Sequence, residues 1–125
     1  MSFSRRLKSV YHGVFRNLRL LNYYRSGRKP WALGFADFRD AYIRKTINSP
    51  ELLKIFADHS SLPSGFGARL DERVIEYPWI LSRLNPKSLY LLDAGSTLNH
   101  AHILQHPNLK QKTMFIYDLV VTGTA

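Results

Sequence analysis

Two short apolar runs constrain the fold of this chain more than any other feature. The first, SLYLLD, covers residues 88–93, and the second, TMFIYD, covers residues 113–118. Each has the length of a strand, and an almost continuous apolar run is typical of a strand buried on both faces. Between them, Leu98–His106 predicts a helix that Pro107 ends. Strand, helix and strand within about 30 residues predict one βαβ unit.

The residues upstream of these runs show helical spacing instead. Apolar residues recur every three or four positions over 3–21, and a second helix is predicted over Phe35–Ile47. The sequence Ser49-Pro50-Glu51 predicts the start of a third helix, because a capping hydroxyl is followed by a proline and then an acid. Asp71 is a candidate cap for a fourth helix, which Pro78 must end or kink.

Charge is unevenly placed along the chain. The formal net charge is +9, and residues 1–30 contain eight Arg or Lys and no acid, whereas the rest of the chain is nearly balanced. There is no cysteine, which excludes disulfides and thiolate metal sites and is compatible with the reducing cytoplasm that we predict as the location. No run approaches the roughly 20 apolar residues that a membrane-spanning helix needs.

The basic N-terminal helix has three interpretations. In the first, which is the most favoured, its apolar stripe would pack on the part of the domain that is missing from this chain, while the charges face water. Alternatively, it lies on an anionic membrane with Phe3, Leu7, Val14 and Leu18 in the headgroup zone. The third possibility is nucleic acid, with basic side chains on phosphates and aromatic rings on bases. Nucleic acid is the least favoured partner, because the sequence contains no recognised nucleic-acid module.

The segment LLDAGSTLNH at 91–100 carries the most chemical information. Asp93 ends a strand, and Gly95 permits a sharp turn and the close approach of a ligand at the start of the next helix. Asp118 ends the second strand, where an acid in a nucleotide-binding βαβ unit typically accepts hydrogen bonds from ribose hydroxyls. The same pattern also fits an Asp93 that only caps the following turn and an Asp118 that is an ordinary exposed strand end.

Three histidines follow this segment. His102 and His106 are four residues apart, a spacing that can bind a metal on one helix face, whereas His100 would point elsewhere. No acid or cysteine nearby completes a site. We therefore predict no metal and interpret these residues as incidental histidines on an exposed helix.

Two segments resemble a group of bacterial class I S-adenosylmethionine-dependent methyltransferases that are often found among genes for surface polysaccharide and glycan assembly. They are LDERVIEYPWILSRL at 70–84 and LLDAGSTLNH at 91–100. The sequences KPW at 29–31 and LPSGFG at 62–67 are also similar to the helical lead-in of that group. The resemblance covers roughly residues 28–118.

This resemblance implies an α/β fold, with S-adenosylmethionine as cofactor and a methyl acceptor that is a small molecule or a glycan. It implies that Asp93 and Gly95 belong to the loop around the methionine end of the cofactor. Ser96 and Asn99 would hydrogen-bond its amino or carboxylate group, and Asp118 would bind the ribose. The resemblance assigns no catalytic base to a residue of this chain.

The expected organisation has three parts: a basic helical arm at 1–27, a helical lead-in at 28–87, and the first βαβ unit of a Rossmann-like methyltransferase fold at 88–125. A class I methyltransferase has a sheet of about seven strands, whereas this chain predicts two. We therefore expect a truncated form, in which 122–125 leaves the family pattern. Uncovered faces and edges of a two-stranded sheet also predict marginal stability or self-association.

Overall fold

The computed structural model describes residues 3–118 of the chain. The predicted departure from the family pattern at 122–125 lies outside these residues. The elements are α1 Phe3–Arg25, α2 Phe35–Ile47, α3 Pro50–Ala57, α4 Arg73–Arg83, β1 Tyr90–Ala94, α5 Ala101–Leu104, α6 Pro107–Lys110 and β2 Thr113–Tyr117. The two strands form a parallel sheet. The predicted combination of a helical section and a short parallel sheet is therefore confirmed.

The sequence correctly predicted where three of the helices begin or end. The bounds of α2 are those that the spacing of apolar residues predicted. At the start of α3, the Ser49 hydroxyl accepts a hydrogen bond from the Leu52 amide at 3.3 Å, with Pro50 at the first helical position. Helix α1 ends at Arg25, and Gly27 follows with a φ of +74°. These ends depend on contacts within a few residues, which is why the sequence alone predicts them.

Two proline predictions are affected by the structure. Helix α4 does not end at Pro78 but continues to Arg83, and Pro78 itself is buried, whereas a kink at Pro78 remains a prediction. Pro107 does not end a helix over Leu98–His106 but occupies the first position of α6, while α5 is limited to Ala101–Leu104. Proline lacks an amide hydrogen and is therefore as suitable for the first turn of a helix as it is for the residue after a helix.

The core lies where α2, α4 and the segment between the two strands meet. The fully or almost fully buried members of this cluster are Ile43, Ile47, Val74, Tyr77, Leu81, Leu98, Ile103 and Leu109. Residues from both 28–87 and 88–125 therefore contribute to one core. An ion pair between Arg39 and Asp71, 2.9 Å apart and mostly buried, also joins α2 to the residues that precede α4.

The two strands pair in register, with Tyr90 opposite Thr113 and Ala94 opposite Tyr117. On one face of the sheet, Leu91 and Met114 pack against the core. The other face is exposed and apolar, and it carries Tyr90, Leu92, Phe115 and Tyr117. The expectation of strands buried on both faces is therefore wrong, and the expectation of an uncovered sheet face is confirmed. Self-association through this face remains a prediction.

Helix α1 joins the body through its C-terminal part. The Arg19 guanidinium donates two hydrogen bonds to the Asp37 carboxylate, at 2.7 and 3.0 Å. These bonds hold the pKa of Asp37 below its ordinary value. Tyr23 is fully buried, with its ring against those of Phe35 and Phe38. None of the helices within 3–118 combines the length and apolar character that crossing a membrane requires.

Candidate functional site

The carboxyl ends of the two strands meet at one edge of the sheet, because the strands are parallel. Ala94 is paired with Tyr117, and the Gly95 amide donates a hydrogen bond to the Tyr117 carbonyl at 2.7 Å. Asp118, which follows Tyr117, therefore lies next to the loop that begins at Gly95. We call this edge, from Asp93 to Asn99 together with Asp118, the loop edge.

Asp93 holds the loop in shape. Its side chain is buried, and one carboxylate oxygen accepts the Thr97 amide at 3.1 Å while the other accepts the Leu98 amide at 2.8 Å. These are charge-assisted hydrogen bonds to backbone donors that a helix starting here would leave without partners. This geometry corresponds to the capping interpretation of Asp93. The helix predicted from Leu98 begins only at Ala101, because the backbone of His100 is extended, with a φ of −128° and a ψ of 134°.

The loop itself requires glycine for its backbone conformation. Gly95 has a φ of +102°, in the left-handed region that side chains disfavour, and Ser96 follows at +57°. A Cβ added at Gly95 would meet only the Thr97 hydroxyl oxygen, at 4.0 Å. The space in front of Gly95 is therefore open, as the approach of a ligand to the backbone requires.

The remaining predicted residues differ in accessibility. Ser96 is half-buried, whereas Asn99 and Asp118 are exposed. The structure thus places Gly95, Ser96 and Asp118 at the loop edge, with Asn99 further along the same loop. Asp93 contributes through the backbone, because both of its oxygens are already used by the loop. The loop edge offers backbone amides, a hydroxyl, an amide side chain and one carboxylate to a polar ligand.

A contact that the sequence did not predict connects α4 to His100, the residue that follows Asn99 of the loop edge. The Tyr77 ring lies 6.0 Å from the His100 ring in an edge-to-face arrangement. The Arg73 guanidinium donates a hydrogen bond to the Tyr77 hydroxyl at 2.7 Å. The spacing of four between Arg73 and Tyr77 indicates a shared helix face, but no local pattern shows what that face meets. The segments 70–84 and 91–100 are therefore in contact through Tyr77 and His100.

The sequence predicted exposed, incidental histidines, and this is wrong for His102 and His106, whereas His100 is exposed. His106 is buried, accepts the Asn108 amide on Nδ1 at 3.2 Å, and its Nε2 lies 2.7 Å from the Ile47 carbonyl oxygen. These contacts assign the proton to Nε2 and a structural role to the ring. His102 is half-buried, and burial lowers its pKa. Over residues 3–118, no group of three His, Cys, Asp or Glu side chains is placed to hold a metal ion.

His102 predicts a dependence of stability on pH. Its pKa in the folded protein lies below the ordinary value of 6.5, mainly through burial, with Arg44, His100 and Arg39 also lowering it and Asp40 opposing them. The unfolded chain therefore binds more protons than the folded protein does. Stability that is fully present above pH 6.5 is lost as the pH falls through the lowered pKa of His102. We expect the unfolding temperature to decrease from about pH 7 to about pH 5, and to decrease less in His102→Gln.

Thermal unfolding followed by circular dichroism across this pH range measures the effect. The matched control is His12→Gln, in which an exposed histidine of α1 is replaced. Parallel pH profiles for the native chain and His102→Gln would contradict the prediction.

Comparison with known proteins adds no further assignment. No protein-family model, no curated protein and no solved structure matches this chain. The loop edge is consequently defined by its own register, hydrogen bonds and exposure.

Proposed function

We propose that the chain binds S-adenosylmethionine at the loop edge and serves methyl transfer to an oxygen or nitrogen of a small molecule or glycan, such as a sugar. The observation that carries this proposal is the parallel register, which sets the glycine loop after β1 beside Asp118 at the end of β2. An acid next to an open backbone loop at adjacent strand ends suits a nucleoside, since a carboxylate accepts hydrogen bonds from both ribose hydroxyls.

The proposal includes a Rossmann-like origin for residues 88–118. Parallel pairing of β1 with β2 and the presence of α5 and α6 between them support this interpretation. Parallel neighbours cannot be joined by a tight turn and need a crossover segment, usually helical. The segment between Ala94 and Thr113 fulfils that requirement with two short helices.

Each residue of the loop edge has a defined part in the proposal. Gly95 leaves room for the cofactor against the backbone, and Asp93 keeps the loop in the conformation that does so. Ser96 and Asn99 would bind the amino or carboxylate group, and Asp118 the ribose. The bound cofactor supplies a methyl group on a sulfonium, which a nucleophile approaches in line. Because such a reaction depends on geometry, orientation of the two reactants provides most of the acceleration.

Asp118→Asn tests this site with little risk to folding, because Asp118 is exposed. In a calorimetric titration with S-adenosylmethionine, we expect saturable binding by the native chain and affinity lower by about tenfold in the variant, as loss of a charged hydrogen bond implies. Asp58→Asn, in which an exposed acid after α3 is replaced, is the matched control and should bind like the native chain. Absence of binding, or equal binding by Asp118→Asn, would contradict the proposal.

Competition identifies which end of the cofactor this site holds. Adenosine should displace S-adenosylmethionine from the native chain and should also bind more weakly to Asp118→Asn. Methionine alone should be unaffected by the substitution, since Asp118 is assigned to the ribose. Equal sensitivity of both competitors to the substitution would contradict the assignment of Asp118.

A further inference from the structure

Helix α1 presents an exposed apolar surface that nothing in the described part of the protein covers. We call it the α1 apolar face. Its members are Val10, Tyr11, Val14, Phe15, Leu18 and Leu21, which are between 43% and 67% exposed. They recur at three- and four-residue spacing, so they form one continuous strip along the helix. Exposed apolar patches of this continuity mark a surface that binds something.

Most of the α1 apolar face points away from the body of the protein, whereas Phe15, four residues before Arg19, lies at the border nearest to it. The helix docks through Tyr23 and Arg19, which contact residues of α2 and the segment before it. Val14 and Tyr23 are nine residues apart, which is about 2.5 turns at 3.6 residues per turn, so their side chains lie on opposite sides of the helix. The docked side and the apolar side can therefore be occupied at the same time.

The charge of this region indicates an anionic partner. Residues 1–30 contain no acid. At about 100° per residue, Arg6 and Lys8 fall at opposite borders of the α1 apolar face, and Arg16 lies further round the helix; all three are exposed. Long basic side chains at the border of an apolar strip can reach phosphates while the strip is buried.

The same charges disfavour two other occupants. A second copy of α1 would bring like charges together with no carboxylate to offset them. A nucleic acid would satisfy the basic side chains but would leave Val10, Val14 and Leu18 exposed, because nucleic-acid binding uses phosphate contacts and aromatic stacking. A bilayer containing anionic lipids satisfies both the charges and the apolar side chains.

We propose that α1 binds the surface of an anionic lipid bilayer, lying parallel to it with the α1 apolar face in the headgroup region. Its 23 residues give a length of about 34 Å at about 1.5 Å per residue. Such helices bury their apolar side by about 5–10 Å into the boundary between headgroups and acyl chains. The body of the protein, on the Tyr23 side, remains in water. This property is independent of cofactor binding at the loop edge.

Vesicle co-sedimentation tests this proposal on the full chain. The native chain should bind vesicles of phosphatidylcholine with phosphatidylglycerol, bind pure phosphatidylcholine at least about tenfold more weakly, and be released by high salt. The double variant Val14→Glu with Leu18→Glu should bind the anionic vesicles at least about tenfold more weakly, since both side chains leave the buried strip.

The matched control has the same change in net charge elsewhere. Leu89→Glu with Leu92→Glu replaces two exposed apolar residues near β1, at 62% and 66% exposure, and should retain vesicle binding within about threefold. Far-ultraviolet circular dichroism verifies that both variants keep their helices. Equal binding to neutral vesicles, equal losses in the two double variants, or no vesicle binding would each overturn the proposal. So would tighter binding to single-stranded RNA that Val14→Glu with Leu18→Glu leaves intact, which would indicate a nucleic-acid partner.

Discussion

Gly34→Ala is expected to destabilise the protein by about 3 kcal/mol or more, because it separates α1 from α2. Gly34 precedes α2 with a φ of +96°, and a Cβ at this position would lie 2.0 Å from the Arg19 carbonyl oxygen and 3.0 Å from the Tyr23 Cβ. Backbone atoms of a helix cannot yield locally by that amount. The two helices must therefore move apart, which exposes Tyr23 and adds to the cost of placing alanine in the left-handed region.

Gly13→Ala is the matched control, because it makes the same substitution on α1 at a position with nothing within 4 Å of the added Cβ. Alanine is favoured over glycine inside a helix by about 0.5–1 kcal/mol, so this variant should be slightly more stable than the native chain. Urea unfolding followed by circular dichroism compares the two. Midpoints that shift in the same direction would contradict the close approach of α1 and α2 at Gly34.

Elements whose ends are set by neighbouring residues could be predicted from the sequence. The cap and proline at Ser49-Pro50 and the spacing over Phe35–Ile47 indicated α3 and α2, and both were found. The rule that proline suits the first helical position applied equally at Pro107. The residues before Pro107 also predicted a helix over Leu98–His106. That prediction was wrong, because α5 is limited to Ala101–Leu104.

The helix predicted over Leu98–His106 failed because the backbone of His100 is extended, so α5 begins only at Ala101. The Asp93 carboxylate binds the amides of Thr97 and Leu98, four and five residues further along the chain, within the loop. The spacing of apolar residues shows neither feature. At Pro78, tertiary packing overrides helix propensity, since the proline is fully buried within a helix that continues on both sides.

The candidate site was predictable in position but not in detail. An acid, a glycine and a second acid at strand ends indicated the loop edge, and the register brings Gly95 and Asp118 together there. The pattern could not distinguish an Asp93 that meets a ligand from one that caps the loop, because both place an acid two residues before glycine. Contacts between residues far apart in sequence, such as His106 with Ile47 and Arg39 with Asp71, leave no local signal.

Asp93→Ala should show whether Asp93 caps the loop or meets a ligand. We expect this substitution to destabilise the protein by about 3 kcal/mol. Hydrogen bonds to a charged group contribute about 1.5–3 kcal/mol each, and removing the carboxylate leaves two backbone donors without their acceptor. The variant should also lose affinity for S-adenosylmethionine, but as a consequence of a collapsed loop. Asp93→Asn keeps one acceptor oxygen and turns an amide group toward the second donor, so its stability should fall between those of the native chain and Asp93→Ala.

Asp118→Ala provides the opposite outcome at the same edge of the sheet. Asp118 is exposed, and surface substitutions of this kind usually change stability by no more than about 0.5 kcal/mol. We therefore expect Asp93→Ala to lower the urea midpoint strongly and Asp118→Ala to leave it unchanged while weakening S-adenosylmethionine binding. If Asp93→Ala instead abolished binding with no change in the midpoint, its carboxylate would have to meet the cofactor directly. The hydrogen bonds to Thr97 and Leu98 would then not be what holds the loop.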